Sequence, residues 1–546
     1  MDDRQQGLFH ARITATGRMG SDAPKMQSKK TIIILELLIV FTFALRILFS
    51  STEVIYPDAC TYLSISKSIL SGKLSTDFRG GVEIVFPPLY PLITGAIYIV
   101  SKGFELAALI ASLIAGALLI IPVFFLARSI YGEKAAWLSS VFISLSPVMI
   151  NWSVAMYTEA LFILLFVSAI TVCLYAVEKD NYVLIFLSGV IIGLAYMTRI
   201  PGVILLIILG GWVLFHSIAN RVRSKKMVAR VAFLFLGFFL IISPYLTYMH
   251  SFFGKWTFTA SYGSIEEVVV SEGTETVAGW ELLEVEKTEK GFYEKMTHKI
   301  IVNLRHYSYM LFRMLTVAGL FVIIGMKVIG KGLKGRESIN ALVLLSIVIL
   351  YFLSLLLLPP SPLIDERMRY LSPILPLLLI LSAGGVVTVS KWLNKSVKGK
   401  FLPRIILPVT AMIAFLSFIP QYRIVSAGLH EPWEEKRPVD IRKQTGIWMK
   451  ENLPHPIRAM SRAPFIVYHA EGIYYFSPPT YEEVLNTAKV YGVDYIVVDR
   501  DVDYDLRPKL KFLFNPGIVP KEFRLIGGYT HPTTGEILTA VYRIEK

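Results

Sequence analysis

Acidic and basic side chains stand next to several apolar segments of this sequence of 546 residues. Asp58 follows Tyr56-Pro57 and precedes a stretch, 59–70, in which apolar and polar residues interleave. This pattern predicts an amphipathic helix that lies on the bilayer with one face exposed, rather than a span. Glu159 opens a later apolar run, and Arg369 stands at the start of another. A carboxylate can take a proton from a hydroxyl group, and a guanidinium group can hold a phosphate. These residue types therefore suit a displacement reaction that releases a phosphate.

Each of these residues also has a purely structural interpretation. After a proline, Asp58 is suited to cap the N-terminus of a helix, and Glu159 suits the positive end of a helix dipole. Arg369 and its neighbour Arg367 would lie at the depth of lipid phosphates, where arginines commonly anchor a helix to headgroups. Arg199 stands in a comparable position at the end of another apolar run. The residues alone leave these alternatives open and do not show which arginine would hold a phosphate.

The composition indicates a membrane protein. Hydrophobic residues make up 54% of the chain, which is typical of a polytopic membrane protein rather than of several soluble domains. Residues 1–30 are polar and basic and are predicted to form a disordered cytosolic tail. Segment 31–50 is long enough to span a bilayer and lies too deep in the chain for an ordinary cleaved signal peptide, so we interpret it as a signal anchor.

The apolar run 87–100 is short for a membrane span, so it either crosses or lies in the outer interface. Basic residues decide between these assignments because cytoplasmic loops carry the excess of lysine and arginine. If 87–100 does not cross, every basic cluster falls on the cytoplasmic side. The chain then has about eleven spans, at 31–50, 104–127, 135–153, 160–177, 182–198, 200–217, 229–249, 307–326, 338–358, 368–390 and 402–420.

This topology predicts a multi-pass protein of the plasma membrane with a cytosolic N-terminus and an extracytoplasmic C-terminal part. The outer surface would include a first loop, 51–103, with juxtamembrane helices, and a longer loop at 250–306. The net charge of +14 reflects basic clusters in the loops between predicted spans. We therefore expect membrane lipids as partners and no nucleic acid. Six charged or titratable residues fall at the outer ends of spans, where one cavity could collect them: Asp58, Glu159, Arg199, His250, Arg367 and Arg369.

The composition changes near the last predicted span, and residues 421–546 are predicted to form a small, soluble α/β domain outside the membrane. Its predicted elements are strands at 459–468, 495–498, 524–528 and 538–544, and a helix at 481–491. Asp499, Asp501, Asp503 and Asp505 alternate as in a metal-binding loop. Since they lack the glycine and the terminal glutamate of an EF-hand, we interpret them as a solvated acidic loop.

A carboxylate on one side of a cavity and arginines on the other suit displacement at an anomeric carbon whose leaving group is a lipid-carried phosphate. The carboxylate would remove the proton from an acceptor hydroxyl as that oxygen attacks. Because a phosphate leaves without the help of an acid, one base is enough. Direct displacement would invert the anomeric centre, by analogy with inverting glycosidases.

Several short motifs occur in a distinctive order between about residues 31 and 420. They are Asp58 with Tyr62 and Gly72, Phe86-Pro-Pro-Leu-Tyr90, Ala127-Arg-Ser-Ile-Tyr-Gly-Glu-Lys134, Ser146-Pro147 with Glu159, residues 193–202 around Thr198-Arg199, and Arg369-Tyr-Leu-Ser-Pro-Ile-Leu-Pro376. This order resembles the GT-C fold glycosyltransferases of the dolichyl-phosphate-mannose protein mannosyltransferase and aminoarabinose transferase (ArnT) kind.

The resemblance implies a GT-C transmembrane catalytic domain at 31–420, a polyprenyl-phosphate-linked sugar as donor and transfer on the non-cytosolic face. It implies Asp58 and Glu159 as catalytic carboxylates, and it makes Arg369 the first of three candidates for binding the donor phosphate, before Arg367 and Arg199. The candidates for the substrate pocket are Tyr62, Pro88, Tyr90, His250 and Tyr370. The lipid-linked sugar is a co-substrate, and we expect neither a cofactor nor an essential divalent metal.

The chain also departs from these relatives. The protein mannosyltransferases carry an Asp-Glu pair where this chain has Asp58-Ala59, which argues against their acceptor. The Trp-Trp-Asp motif of oligosaccharyltransferases is absent, which argues against en bloc transfer to asparagine. The sequence does not indicate the sugar, the oligomeric state, or whether the acceptor hydroxyl belongs to a protein, a lipid or a glycan.

Two other classes of function compete with transfer. A transporter or flippase of polyprenyl-linked sugars would also be polytopic, but it predicts charges near the bilayer midplane and an internal duplication. Neither feature is clear in this sequence. A noncatalytic scaffold would keep its function when Asp58 is replaced with asparagine.

Overall fold

The computed structural model describes residues 29–50, 57–72, 86–254, 256, 258, 292–326, 336–358, 364–396, 402–429, 441–504 and 507–545. The predicted disordered tail therefore lies almost wholly outside the described residues, as does most of the predicted outer loop 250–306. The described part comprises a large helical domain and a C-terminal domain built around one sheet.

The helices of the first domain are numbered here in chain order. They are α1 (Lys29–Leu48), α2 (Pro57–Leu70), α3 (Leu89–Ser101), α4 (Phe104–Leu118), α5 (Ile120–Tyr131), α6 (Glu133–Leu145), α7 (Pro147–Val154), α8 (Glu159–Glu178), α9 (Tyr182–Thr198), α10 (Gly202–Ala219), α11 (Ser224–Phe253), α12 (Phe292–Gly325), α13 (Arg336–Leu355), α14 (Ile364–Leu371), α15 (Leu375–Ser396), α16 (Leu402–Phe415) and α17 (Phe418–Leu429). A short 3₁₀ turn, Ser372–Ile374, joins α14 to α15.

Within the described residues, eight helical segments are long and apolar enough to cross a membrane, and the bent pair α6 and α7 raises this number to nine. Two shorter apolar helices, Tyr182–Thr198 and Ile339–Leu355, coincide with the remaining predicted spans. Each of the about eleven predicted spans thus contains an apolar helix. The third short apolar helix, α3, is 13 residues long and is the segment predicted to lie in the interface. The last span ends later than predicted, because it runs from Ile405 to Arg423.

Helix α2 carries Asp58 and differs from its prediction in two ways. Asp58 lies in the first turn, so it is not the N-cap residue that the proline suggested. The helix is also buried nearly all round, since Ala59, Cys60, Leu63 and Ile65 are fully buried and the serines on its other faces are buried too. The interleaved pattern had predicted one exposed face. Packing of α3, α4 and a helix of the C-terminal domain against α2 covers that face.

The break between α6 and α7 is stabilised by a buried arginine of α1. Pro147 lacks an N–H group, so the Ile143 carbonyl loses its helical partner, and the two helices meet at 56°. The fully buried Arg46 donates to the carbonyl oxygens of Ile143 and Ser144, each at 3.4 Å, and through Nε to Ser153 Oγ at 2.9 Å. This arginine therefore fixes α7, and with it the segment that leads to Glu159, against α1.

The close approach at Arg46 also requires a glycine on α4. A Cβ atom added at Gly116 would lie 2.0 Å from Ser153 Oγ and 3.1 Å from Arg46 Nε. Any side chain at this position would push α4 away from α7, because these atoms lie in a packed interior.

The C-terminal domain is a five-stranded mixed sheet covered by helices on both faces. Its strand order is β2-β1-β3-β5-β4, with β1, β2 and β3 parallel and β5 antiparallel to both β3 and β4. Its elements are α18 (Ile441–Asn452), β1 (Arg458–Ser461), α19 (Pro464–His469), β2 (Ile473–Phe476), α20 (Tyr481–Tyr491), β3 (Tyr495–Asp499), α21 (Arg500–Asp503), a 3₁₀ helix (Pro508–Phe514), β4 (Phe523–Thr530) and β5 (Ile537–Ile544).

The alternation of side chains in β3 explains this layering. Tyr495 and Val497 pack in the core beneath α18 and α19, whereas Ile496 and Val498 pack beneath α20 and the 3₁₀ helix. The predicted helix 481–491, the buried strand and the closing strand pair are therefore present. The predicted strand 459–468 is only partly correct, because it ends at Ser461 and Pro464 starts α19.

Asp499, at the end of β3, and Asp503 do not lie in the solvated loop that the spacing of the aspartates predicts. Asp499 is buried, accepts hydrogen bonds from the N–H groups of Asp501 and Val502, and binds Arg442. Asp503 is also buried, where it accepts from the Asp499 N–H at 2.8 Å, and burial raises its pKa to about 7. The Asp499–Arg442 pair therefore holds the end of β3 to α18, and Asp503 stabilises the turn itself. Asp505 lies outside the described residues.

Candidate active site

Four charged side chains from four separate elements meet at one place in the helical domain. Asp58 comes from the first turn of α2, and Glu159 is the first residue of α8. Arg199 directly follows α9, and Arg369 lies in the last turn of α14. Each of them stands at or near a helix end, as the sequence predicted. The structure therefore brings together four of the six residues that were expected in one cavity.

These four side chains form a chain of alternating charge. Arg369 Nη1 donates to Asp58 Oδ2 at 2.5 Å, and Arg369 Nε donates to Glu159 Oε1. The same oxygen of Glu159 forms an ion pair with Arg199 Nη1. Arg369 thus bridges both carboxylates, and Glu159 bridges both arginines. The Asp58 carboxylate is therefore bound by Arg369 rather than serving as a helix cap, and Arg369 faces protein carboxylates.

The group is shielded from solvent to different degrees. Glu159 is only 1% exposed, whereas the side chains of Arg369 and Arg199 are 17% and 14% exposed. Two negative and two positive charges cancel, which offsets part of the cost of removing them from water. Loss of either inner member, Arg369 or Glu159, would leave the end member beside it without this partner. The two arginine side chains are therefore more exposed than the Glu159 carboxylate between them.

Aromatic side chains surround the arginines. The ring of Tyr157 lies 4.7 Å from Arg369 Cζ, and the ring of Tyr370 lies 5.9 Å from Arg199 Cζ. Arg369 Nη2 also donates to the Tyr62 hydroxyl at 3.5 Å. Flat rings beside guanidinium groups add cation–π attraction and keep the side chains in fixed positions. They also provide apolar surfaces of the kind that line small-molecule sites.

Tyr90 packs against Tyr62 on the side of α3, the helix that Pro88 precedes. The Tyr90 ring meets Tyr62 edge to face, with the centroids 5.5 Å apart, and its hydroxyl contacts the Ala108 carbonyl and Ser112, each at 3.0 Å. Tyr90 is fully buried, so it supports Tyr62 from behind. Pro88 precedes α3 at its N-cap and sets the start of that helix.

Two predicted site residues are not assigned to the charged group. The His250 ring packs on Trp256, with the centroids 4.4 Å apart, near the end of α11. The side chain of Arg367 lies outside the described residues. Sequence reasoning had not selected Tyr157, which forms the ring beside Arg369. The sequence pointed to Tyr157 only weakly, because the residue is merely an aromatic two positions before a carboxylate at a helix start.

The arrangement suits the binding of an anion beside a general base. A phosphate that reached Arg369 would compete with Asp58 for the same guanidinium group, because both are acceptors for its N–H donors. Asp58 would then be released from its ion pair while remaining close to the bound anion. Glu159 would stay between the arginines and keep them oriented. Among the described residues, no three His, Cys, Asp or Glu side chains form a group that could hold a metal ion.

Residues 86–248 match the family model described as dolichyl-phosphate-mannose-protein mannosyltransferase. This part includes Glu159 and Arg199 but neither Asp58 nor Arg369. A search of the curated proteins found no matching sequence.

Solved structures of two kinds of membrane enzyme are similar to this chain. An oligosaccharyltransferase from Archaeoglobus fulgidus, solved with Zn and sulfate, is 16% identical with a TM-score of 0.61, and the match covers 92% of this chain and 72% of that one. The A. fulgidus enzyme AglB, in complex with an inhibitory peptide and a dolichol-phosphate, is 14% identical with a TM-score of 0.58 over 95% and 74% of the two chains. ArnT from Cupriavidus metallidurans, bound to undecaprenyl phosphate, is 12% identical with a TM-score of 0.53 over 95% and 98%.

At such low identities these likenesses establish the fold. The prediction of a GT-C fold similar to the protein mannosyltransferases and to ArnT is confirmed. The chain is therefore a multi-pass membrane protein with the fold of membrane glycosyltransferases.

Proposed function

We propose that this GT-C membrane protein is an inverting glycosyltransferase that moves a sugar from a polyprenyl phosphate to an acceptor hydroxyl on the outer face of the membrane. The proposal rests on one observation: the Asp58 and Glu159 carboxylates both accept hydrogen bonds from the guanidinium group of Arg369, at a partly exposed site. A base and an anion-binding group in contact are what a displacement with a phosphate leaving group needs.

Arg369 is proposed to hold the donor phosphate, with Arg199 beside it. ArnT was solved with undecaprenyl phosphate and AglB with dolichol-phosphate, which supports a lipid phosphate as the ligand of this fold. In this chain the phosphate would replace Asp58 at Arg369 and form charge-assisted hydrogen bonds with the guanidinium group. Arg367 remains a further candidate in the same helix.

Asp58 is proposed to act as the general base. Its carboxylate takes the proton of the acceptor hydroxyl while that oxygen forms a bond to the anomeric carbon. The bond from this carbon to the phosphate oxygen breaks, and its electron pair leaves with the polyprenyl phosphate. Asp58 later returns the proton to water. One displacement at the anomeric carbon inverts its configuration.

Glu159 is proposed to act through the arginines. It accepts from Arg369 and pairs with Arg199, so it fixes the distance between the two positive groups. Both oxygens are engaged, since Oε2 also accepts from the Thr158 hydroxyl at 3.5 Å. A carboxylate held in this way suits orientation of the phosphate-binding groups better than proton transfer.

The distribution of basic residues supports the proposed outer location. Arg221, Arg223, Lys225 and Lys226 cluster at the opposite end of α10 from the turn that carries Arg199. By the positive-inside rule this cluster is cytoplasmic, so the site lies at the extracytoplasmic end of the helices. The N-terminus is then cytosolic, and the C-terminal domain lies on the same side as the site.

Release of polyprenyl phosphate tests the proposal. We expect the purified protein, given radiolabelled polyprenyl-phosphate sugars extracted from host membranes together with envelope acceptors, to release lipid phosphate and label the acceptor. The anomeric configuration of the product, determined by NMR, should be opposite to that of the donor. A product with retained configuration would exclude direct displacement. Movement of the donor across a vesicle membrane, without release of its lipid phosphate, would instead favour a flippase.

Removal of divalent cations is expected to leave the transfer rate unchanged within about twofold, because the proposed step uses arginines to stabilise the leaving phosphate. The measurement is the same release assay after dialysis against excess EDTA. The EDTA experiment is informative because an oligosaccharyltransferase of similar fold, from A. fulgidus, was solved with Zn. Loss of activity in EDTA that returns on addition of Mg²⁺ or Mn²⁺ would contradict the metal-independent mechanism.

A further inference from the structure

A tyrosine of the C-terminal domain packs against the helix that carries Asp58. Tyr468, on α19, is 4% exposed and belongs to the same buried cluster as Ala59, Tyr62 and Leu63 of α2. Phe465, one turn earlier on α19, packs against both this cluster and the core of the C-terminal domain. The side chains of α19 therefore join two hydrophobic cores.

Polar contacts fix the direction of Tyr468. The ammonium group of Lys67 on α2 lies 4.3 Å from the centroid of its ring, within the range of a cation–π interaction. The hydroxyl donates to Glu105 Oε1, at the start of α4, at 3.4 Å. Lys67 also lies 5.5 Å from the centroid of the neighbouring Phe104 ring. One tyrosine thus contacts two helices of the membrane domain.

Burial and nearby charges shift the pKa values of the titratable groups around Tyr468. Burial and the Glu105 carboxylate raise the pKa of the Tyr468 hydroxyl, so it stays protonated and can donate. Burial lowers the pKa of Lys67, while Glu105 and Glu471 oppose this shift. Burial also lowers the pKa of the adjacent His469 to about 4, so its ring is neutral at pH 7 and adds no charge beside Lys67.

Lys67 and Asp58 lie on opposite faces of α2. Nine residues separate them, which corresponds to two and a half helical turns, or roughly 14 Å along the axis. Tyr62 is four residues after Asp58 and shares its face, where it meets Arg369. The helix therefore presents one face to the charged site and the other to Tyr468.

We infer that Tyr468 is a positioning residue through which the docked C-terminal domain holds α2, and so Asp58, in register with Arg369. This inference rests on the proposed function of Asp58. A misplacement of about 1 Å can cost about 10²-fold in rate, so a short helix that carries a general base gains from support on both faces. The domain then contributes to catalysis without touching the reacting atoms.

Three variants of the full-length protein test this role. Tyr468→Ala removes the ring, and we expect kcat for sugar transfer to fall at least tenfold, while the Kd for undecaprenyl phosphate changes by less than threefold. Tyr468→Phe keeps the ring over Lys67 and should retain at least half of the wild-type kcat. Lys67→Met keeps the apolar stem but removes the charge, without altering the C-terminal domain, and should lower kcat by a smaller factor than Tyr468→Ala.

Hydrogen exchange gives a readout that does not depend on activity. Peptides covering 57–70 should exchange at least tenfold faster in Tyr468→Ala than in the wild type and in Tyr468→Phe. The matched control is Tyr529→Ala in β4, at the opposite edge of the sheet, for which neither exchange in 57–70 nor kcat should change. Thermal unfolding of each variant shows whether the C-terminal domain remains folded.

Faster exchange of 57–70 with an unchanged kcat would overturn the positioning role. A fall in kcat without a change in exchange of 57–70 would overturn it as well. If the wild-type protein transfers no sugar, the proposed function fails, and the exchange of 57–70 alone then decides whether Tyr468 holds α2.

Discussion

Replacement of Asp58 with asparagine is expected to lower kcat for sugar transfer by about 10²–10⁴-fold, which is the usual contribution of a general base. Asparagine has nearly the same shape but cannot take the proton of the acceptor hydroxyl. Because the change also removes a competitor for Arg369, the affinity for undecaprenyl phosphate should stay the same or rise. The measurements are single-turnover release of polyprenyl phosphate and direct titration with undecaprenyl phosphate.

The matched control for this prediction is Asp180→Asn. Asp180 lies in the turn between α8 and α9, at the far end of α8 from Glu159, and pairs with Arg230 at 2.8 Å and Lys226 at 3.2 Å. Its replacement likewise removes an ion-paired carboxylate and should leave kcat within about twofold, because it lies far from the proposed base. An active Asp58→Asn protein would show that another group removes the proton, and Asp58 would then act only as the counterion of Arg369.

Replacement of Arg369 with methionine is expected to abolish donor binding and to destabilise the protein by about 3–5 kcal/mol, the usual cost of breaking a buried ion pair. Without Arg369, Asp58 loses its 2.5 Å partner, whereas Glu159 keeps its ion pair with Arg199 and its hydrogen bond from Thr158. Binding of undecaprenyl phosphate and the unfolding temperature in detergent measure the two effects separately.

A double variant separates the two roles of Arg369. Asp58→Asn in the Arg369→Met background removes the unpaired carboxylate, so it should recover part of the lost stability but no donor binding. Arg369→Lys keeps a positive charge but loses the planar guanidinium group that contacts both carboxylates. The Arg369→Lys protein should therefore bind the donor more weakly than the wild type. Unchanged affinity for undecaprenyl phosphate in Arg369→Met would assign the phosphate to Arg199 or Arg367.

Local signals in the sequence were enough to locate most elements. The apolar runs predicted the membrane helices because a span must be apolar over its whole length, and this property depends only on neighbouring residues. The helix 481–491 and the strand around Ile496 were predicted correctly for the same reason. The strand 459–468 was predicted too long, although Pro464 was a local signal for a helix start.

Burial of polar residues was harder to predict because it depends on distant partners. The aspartates after β3 looked solvated, yet Asp499 is buried against Arg442, which lies 57 residues away in the chain. The pattern of α2 predicted one exposed face, but Tyr468 covers it from a position about 400 residues later. Arg46 lies near the end of a span, and the residues around it do not indicate that it binds the helix broken at Pro147.

The sequence by itself determined the fold class, the membrane helices and the candidates Asp58, Glu159, Arg199 and Arg369. Only the tertiary structure decided that these four form one alternating group, in which Arg369 contacts a carboxylate 311 residues away. The physical reason is that apolar length and helix ends are properties of neighbouring residues, whereas an ion pair between helix ends depends on how the helices pack. Helix packing sums many weak contacts over the whole chain, and no short stretch of sequence contains that information.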